Sequence, residues 1–154
     1  MTRAEKARDY FESGYACSQA VALAFIDLTN VDESSMKKLT LPLGGGLGRL
    51  RLTCGAISGM AIAAGLIIGK DENTNENKLE VYEITRELVE RFKSVHRTII
   101  CEELLSNPNV LVEIGGKPEE RTKEYYEKRP CSLIVYNAAK VLEDYLYEKG
   151  ILVN

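Results

Sequence analysis

"RLTCGAISGMAIAAGLIIG", residues 51–69, decides how this chain is read. From Gly55 to Gly69 it runs 15 residues without a charge. A helix that spans a bilayer needs about 20. The run is also rich in Gly and Ala. It therefore predicts a helix buried on all sides inside a protein, not a membrane segment. At its head stands Cys54, followed at once by Gly55 and Ala56.

Upstream lies "PLGGGLGRL", with four glycines in five residues. Such a stretch cannot be a regular element and reads as a tight loop feeding the central helix. Before it, Thr2 and Glu5 form a capping-box pattern for a first helix ending near Gly14. A second helix is predicted from about Cys17 to Thr29, and a third in "NVDESSMKKLTL" with Asp32 as N-cap. Downstream, "KDENTNENK" is a polar connector. A long amphipathic helix follows, with Leu79, Tyr82, Leu88, Val89, Phe92 and Val95 at helical spacing, running towards "TIICEELL". "SNPNVLVEIGGKP" is irregular, with "VLVEI" a candidate short extended piece. "PEERTKEYYEK" reads as a short polar helix. The last helix follows Pro130 and closes at Gly150. The expected class is all-α: a single domain over residues 1–154, a bundle of about five to seven helices around a central apolar one.

The chain has 154 residues, 45% hydrophobic and 28% charged. That is enough to build a core without disulfide staples. The net charge is −3 with no Lys/Arg-rich run, so neither nucleic acid nor an anionic membrane is expected as a partner. "MTRAEKARDYF" lacks the charged-then-apolar order of a secretory signal, so a cytoplasmic location is expected.

The four cysteines are at 17, 54, 101 and 131. There is no CxxC and no CxxCH, and the separations fit neither a zinc finger nor a ferredoxin run. Their placement says more. Cys17, Cys54 and Cys131 each follow a break and precede a helical pattern. A helix N-terminus offers free N–H groups and a positive dipole end, which lower a thiol's pKa. Cys101 reads as interior to a helix, between Ile100 and Glu102. A bundle can bring several helix starts to one end, where the cysteines form a site. Equally, free cysteines are often buried as small hydrophobes.

Four segments carry a resemblance: "GYACSQAVALAF", "GGGLGRLRLTCGAISG", "CEELL" and "RPCSLIVYNAAKVLEDYL". In this order they resemble the cysteine motifs of the C_GCAxxG_C_C family of redox-active proteins, over nearly the whole chain. The family label writes the central motif GCAxxG; here the order is Cys54, Gly55, Ala56, then Gly59. The resemblance implies a small helical protein whose cysteines do redox work or bind an iron–sulfur cluster. On that basis Cys17, Cys54, Cys101 and Cys131 are candidate metal ligands. Gly45, Gly46, Gly55 and Gly59 are candidate cofactor-wall residues.

Three readings stay open. One is an iron–sulfur protein, most plausibly two-iron two-sulfur, for electron transfer or redox sensing. The second is metal-free thiol–disulfide exchange, for example by Cys54 with Cys17 or Cys131. The third is a structural module with zinc, or with no metal. A redox partner protein is expected for the first, and the aromatic helix edges can support a homodimer. No catalytic residue is assigned. The glycine loop with Arg49 and Arg51 could cradle an anion, but it is neither a Walker A nor a Rossmann motif. A turn that aims Cys54 is the simpler reading. His96, the one histidine, reads as a satisfied or surface residue.

Overall fold

A computed structural model describes residues 1–108 and 110–154. Among these there are eight α-helices and no strand, only two isolated bridges. The helices are α1 (Arg3–Glu12), α2 (Cys17–Leu23), α3 (Glu33–Thr40), α4 (Gly55–Ile68), α5 (Asn75–His96), α6 (Cys101–Leu105), α7 (Lys123–Lys128) and α8 (Cys131–Glu148). Among the described residues no helix is long and apolar enough to cross a membrane.

Four helices begin as their sequence dictates. The Thr2–Glu5 capping box is formed, with Glu5 N donating to Thr2 Oγ1 and Thr2 N donating to Glu5 Oε2. Asp32, Thr74 and Thr122 each accept an N–H two or three residues into α3, α5 and α7. The other four, α2, α4, α6 and α8, have no side-chain cap at their starts. These four begin at the cysteines.

Helix α4 is central. It packs on α2, α8 and α5, while α1 lies across α8 and α2. The core joins Phe11, Val21, Phe25, Met60, Leu88, Phe92, Val135, Leu142 and Leu146. Alanines between them, such as Ala20, Ala63 and Ala138, are fully buried and let helix backbones approach. The expectation that α4 is buried on all sides holds only for its first half. Leu66 is exposed, and Gly65, Ile67 and Ile68 are half-buried. Length explains this. The seven residues of α2 span about 10 Å and cannot cover the roughly 21 Å of α4.

Three other expectations change. Helix α2 stops at Leu23 and gives way to a 3-10 turn at Ile26–Leu28. In α5, Leu88 and Phe92 are buried but Leu79, Tyr82 and Val95 are exposed. Helix α5 also ends at His96, where Arg97 takes a left-handed φ of 70°, so "TIICEELL" is not its continuation. Residues 111–114 of "VLVEI" form no element, and Asn109 of the irregular stretch lies outside the described residues.

Candidate functional site

The glycine loop coils back on itself before reaching α4. Gly45, Gly46, Leu47, Gly48, Arg49 and Arg51 all have φ between 54° and 73°. Six backbone bonds between residues 42 and 52 close the coil, among them Arg51 N to Gly45 O at 3.0 Å and Leu52 N to Gly46 O at 2.9 Å. The loop then runs antiparallel to the segment after α5. Thr53 pairs with Ile100, Cys54 N donates to Ile99 O at 2.7 Å, and Cys101 N donates to Leu52 O at 2.6 Å. This short pairing brings the starts of α4 and α6 together. Cys101 is therefore the first residue of α6, not an interior helical residue. All four cysteines stand at helix starts, with Cys54 as the N-cap of α4.

Cys17, Cys54, Cys101 and Cys131 line one cavity of about 330 Å³. All four thiols are free. Glycine makes the approach close. A Cβ on Gly55 would sit 2.5 Å from Cys17 Sγ and 2.9 Å from Leu43 O. A Cβ on Gly46 would sit 2.7 Å from Cys101 Cβ and 2.6 Å from Leu52 N. Gly45 and Gly55 are part of the cavity wall, whereas Gly59 faces the Ser18 backbone and seats α4 on α2. No three His, Cys, Asp or Glu side chains among the described residues converge as a group able to hold one metal ion. The sulfurs ring a space; they do not meet at a point.

The expectation of lowered thiol pKa values is reversed. Burial pushes the Cys131 thiol up to about 12, with the nearby Cys17 adding to the rise. Burial likewise raises Cys17, and backbone groups of Gly45 and Ser18 recover only part of it. Cys54 is raised well above the ordinary range by burial, then by Cys17 and Cys131. Desolvation of a thiolate outweighs the helix ends here. The same neighbour effects show that the sulfurs sense one another across the cavity.

Several wall residues are not apparent from the sequence motifs. Arg121 and Arg129 come from either end of "RTKEYYEKR", and Glu119 from the segment before it. Glu119 Oε1 accepts from Arg49 Nη2 at 3.3 Å and Arg129 Nη2 at 2.8 Å, with Arg51 Nη2 at 4.0 Å. Arg51 Nη1 also donates to Cys101 Sγ at 3.8 Å. A signal was present: "GRLRLTC" and "RPC" place arginines two to five residues before cysteines.

His96 is apart from the cavity. It stacks on Phe92 at 4.7 Å between ring centroids, and its Nε2 lies 2.9 Å from Asn137 Nδ2. Burial holds its pKa below the usual histidine value. Folding thus favours the neutral ring. This contribution to stability is full above the unfolded pKa, about 6.5, and is lost as pH falls through the folded value. As the single histidine, its C2 proton should titrate in NMR with a midpoint below 6.5; a midpoint at or above that value contradicts the packing described.

The family model described as "Putative redox-active protein (C_GCAxxG_C_C)" matches residues 15–145, so the chain belongs to that family. The match takes in all four cysteines. No curated protein and no solved structure matches the chain.

Proposed function

From that membership we propose that Cys17, Cys54, Cys101 and Cys131 hold one iron–sulfur cluster, of the two-iron two-sulfur type, and that the protein transfers or senses electrons. The observation that carries this is the meeting of four helix-start cysteines on one cavity. A two-iron cluster takes four thiolates spread over two metals, so its ligands need not converge on a point as for a single zinc. Bound, such a cluster supplies one-electron chemistry. The chain's own contribution is the setting. The starts of α2, α4, α6 and α8 lack side-chain caps, which leaves backbone N–H groups to face sulfur. N–H bonds to sulfur and a dry wall tune a cluster's potential. Gly45, Gly46 and Gly55 keep side chains out of the way; Gly59 fixes the helix pair that carries Cys17 and Cys54.

Burial that raises the thiols of Cys17, Cys54 and Cys131 leaves little thiolate for exchange in the metal-free chain. Neutral buried thiols are poor nucleophiles. The metal ligand is likewise the thiolate, so a metal must displace the protons, and its positive charge then offsets the cost of burying charged sulfur. The reducing cytoplasm suits free thiols. The exposed leucines Leu41, Leu47, Leu50 and Leu52 lie on or beside the glycine loop, next to the cavity, and suit a redox partner protein.

The test is anaerobic reconstitution with iron and sulfide. About two irons and two sulfides per chain, with visible charge-transfer absorption that bleaches on reduction, are expected. Absence of that absorption sinks the proposal. One zinc per chain without a redox response would favour the structural reading instead. Loss of free thiols on mild oxidation of the metal-free chain would favour disulfide exchange.

A further inference from the structure

The cavity wall carries more positive charge than four cysteines need. Arg49, Arg51, Arg121 and Arg129 all line it, and Glu119 is the one carboxylate among the lining residues. Four guanidiniums against one carboxylate make this wall strongly cationic. Arg49 is 9% exposed and Arg51 5%. Buried guanidiniums are costly unless each finds an acceptor.

Their acceptors differ in kind. Arg121 is committed to the fold, donating to Phe11 O at 3.0 Å and Tyr15 O at 3.2 Å. Arg51 Nε is likewise occupied by Glu113 O at 2.9 Å. One nitrogen, Nη2, of each of Arg49, Arg51 and Arg129 approaches a single oxygen, Glu119 Oε1, at 3.3, 4.0 and 2.8 Å. Arg49 Nε and Nη1 are buried and have no hydrogen-bond partner. One carboxylate oxygen is thus shared among three cations, and two donor nitrogens of Arg49 are left over. Glu119 lies on a segment without helix or strand between α6 and α7, and its side chain is 35% exposed. It is the least buried member of the set.

We infer that this is an oxyanion site: Arg49, Arg51 and Arg129 bind the carboxylate or tetrahedral oxyanion of a small ligand at the position that the Glu119 carboxylate fills in its absence. Guanidiniums present paired N–H groups to planar or tetrahedral oxyanions, and a ligand with two or three oxygens satisfies donors that one glutamate oxygen cannot. The cavity is of small-ligand size. Leu104, Leu105 and Tyr125 give it apolar walls for a short hydrocarbon body. Arg51 touches both Glu119 and Cys101, so the bound anion sits one guanidinium away from a cysteine sulfur. The inference goes beyond the cluster and does not require it. An anionic cluster would also draw on this positive charge, but it gives Glu119 no role as a competitor.

Glu119→Gln keeps the side chain's size and removes the competing charge. Arg129→Gln removes the guanidinium that lies nearest Glu119. Calorimetric titration with inorganic phosphate and, separately, with butyrate, at ionic strength fixed by chloride, distinguishes tetrahedral from carboxylate ligands. The full chain is used both in its thiol form and after iron loading. Saturable binding of either probe is expected, at least fivefold tighter in Glu119→Gln and on the order of tenfold weaker in Arg129→Gln, as befits a charge-assisted bond. A gain of affinity cannot come from misfolding, so Glu119→Gln decides the matter even if Arg129→Gln folds poorly. No saturable binding of either probe in both forms overturns the inference, as does a Glu119→Gln chain that binds no tighter. A missing visible absorption after iron loading bears on the cluster alone.

Discussion

Gly59→Ala should lower the melting temperature by about 4–8 °C, while Gly65→Ala in the same helix should raise it by about 2–4 °C. The two glycines differ only in what lies beside them. A Cβ at Gly59 would strike the Ser18 carbonyl oxygen and lie 3.2 Å from both Ser18 C and Cα. The obstacle is backbone, so α2 must shift away from α4. Overpacking of this kind costs roughly 3 kcal/mol. About 1 kcal/mol returns because alanine is the better helix former. At Gly65 nothing lies within 4 Å, so only that helical gain of about 1 kcal/mol remains. Thermal unfolding followed by circular dichroism gives both values. Equal signs for the two substitutions would contradict the α2–α4 packing.

Alanine at any one of the four cysteines should reduce iron and labile sulfide to the level of the unloaded chain. The pattern matters more than any single variant. A shared cluster makes all four positions essential, because each sulfur faces the same cavity. Metal-free dithiol–disulfide exchange leaves iron and sulfide low in every chain, the native one included. A zinc or purely structural role leaves iron loading low in the native chain as well. Metal and sulfide analysis of the native chain and the four variants, with circular dichroism to show that each is folded, separates the shared cluster from both. Full cluster loading in the Cys101→Ala chain would be the most damaging result, since Cys101 is carried by the shortest helix.

Much of the helical framework was legible because its signals are local. Thr2 and Asp32 cap α1 and α3 as the sequence indicates, while Thr74 and Thr122 cap α5 and α7 from polar stretches in which no cap was singled out. The break at Arg97 was not legible. Arginine carries no preference for a left-handed φ, and that φ is imposed by the pairing of residues 52–54 with 99–101. For the same reason Cys101 read as an interior residue although it begins α6. The glycine loop was recognised as a turn, but its positioning of the start of α4 against that of α6 depends on that long-range pairing. Thiol acidity was misjudged because a helix start is a local feature and desolvation is not. The arginine wall needed the tertiary fold, since Arg49 and Arg129 are 80 residues apart and meet only through Glu119.

The four helix starts are far apart along the chain, at 17, 54, 101 and 131. Anything that grips all four sulfurs closes three loops at once, of 37, 47 and 30 residues. For a covalent cross-link, closure of each such loop removes chain entropy from the denatured state worth roughly 3–4 kcal/mol. A bound cluster would act on the unfolded ensemble in the same way, as a tether that survives local melting. Helix α6 gains most. With five residues it is below the length at which a helix persists alone, and its place depends on the backbone bonds of Cys101 and Glu102 to Leu52 and Arg51. Amide exchange in α6 should therefore slow more than elsewhere on loading, making α6 the local gauge of occupancy.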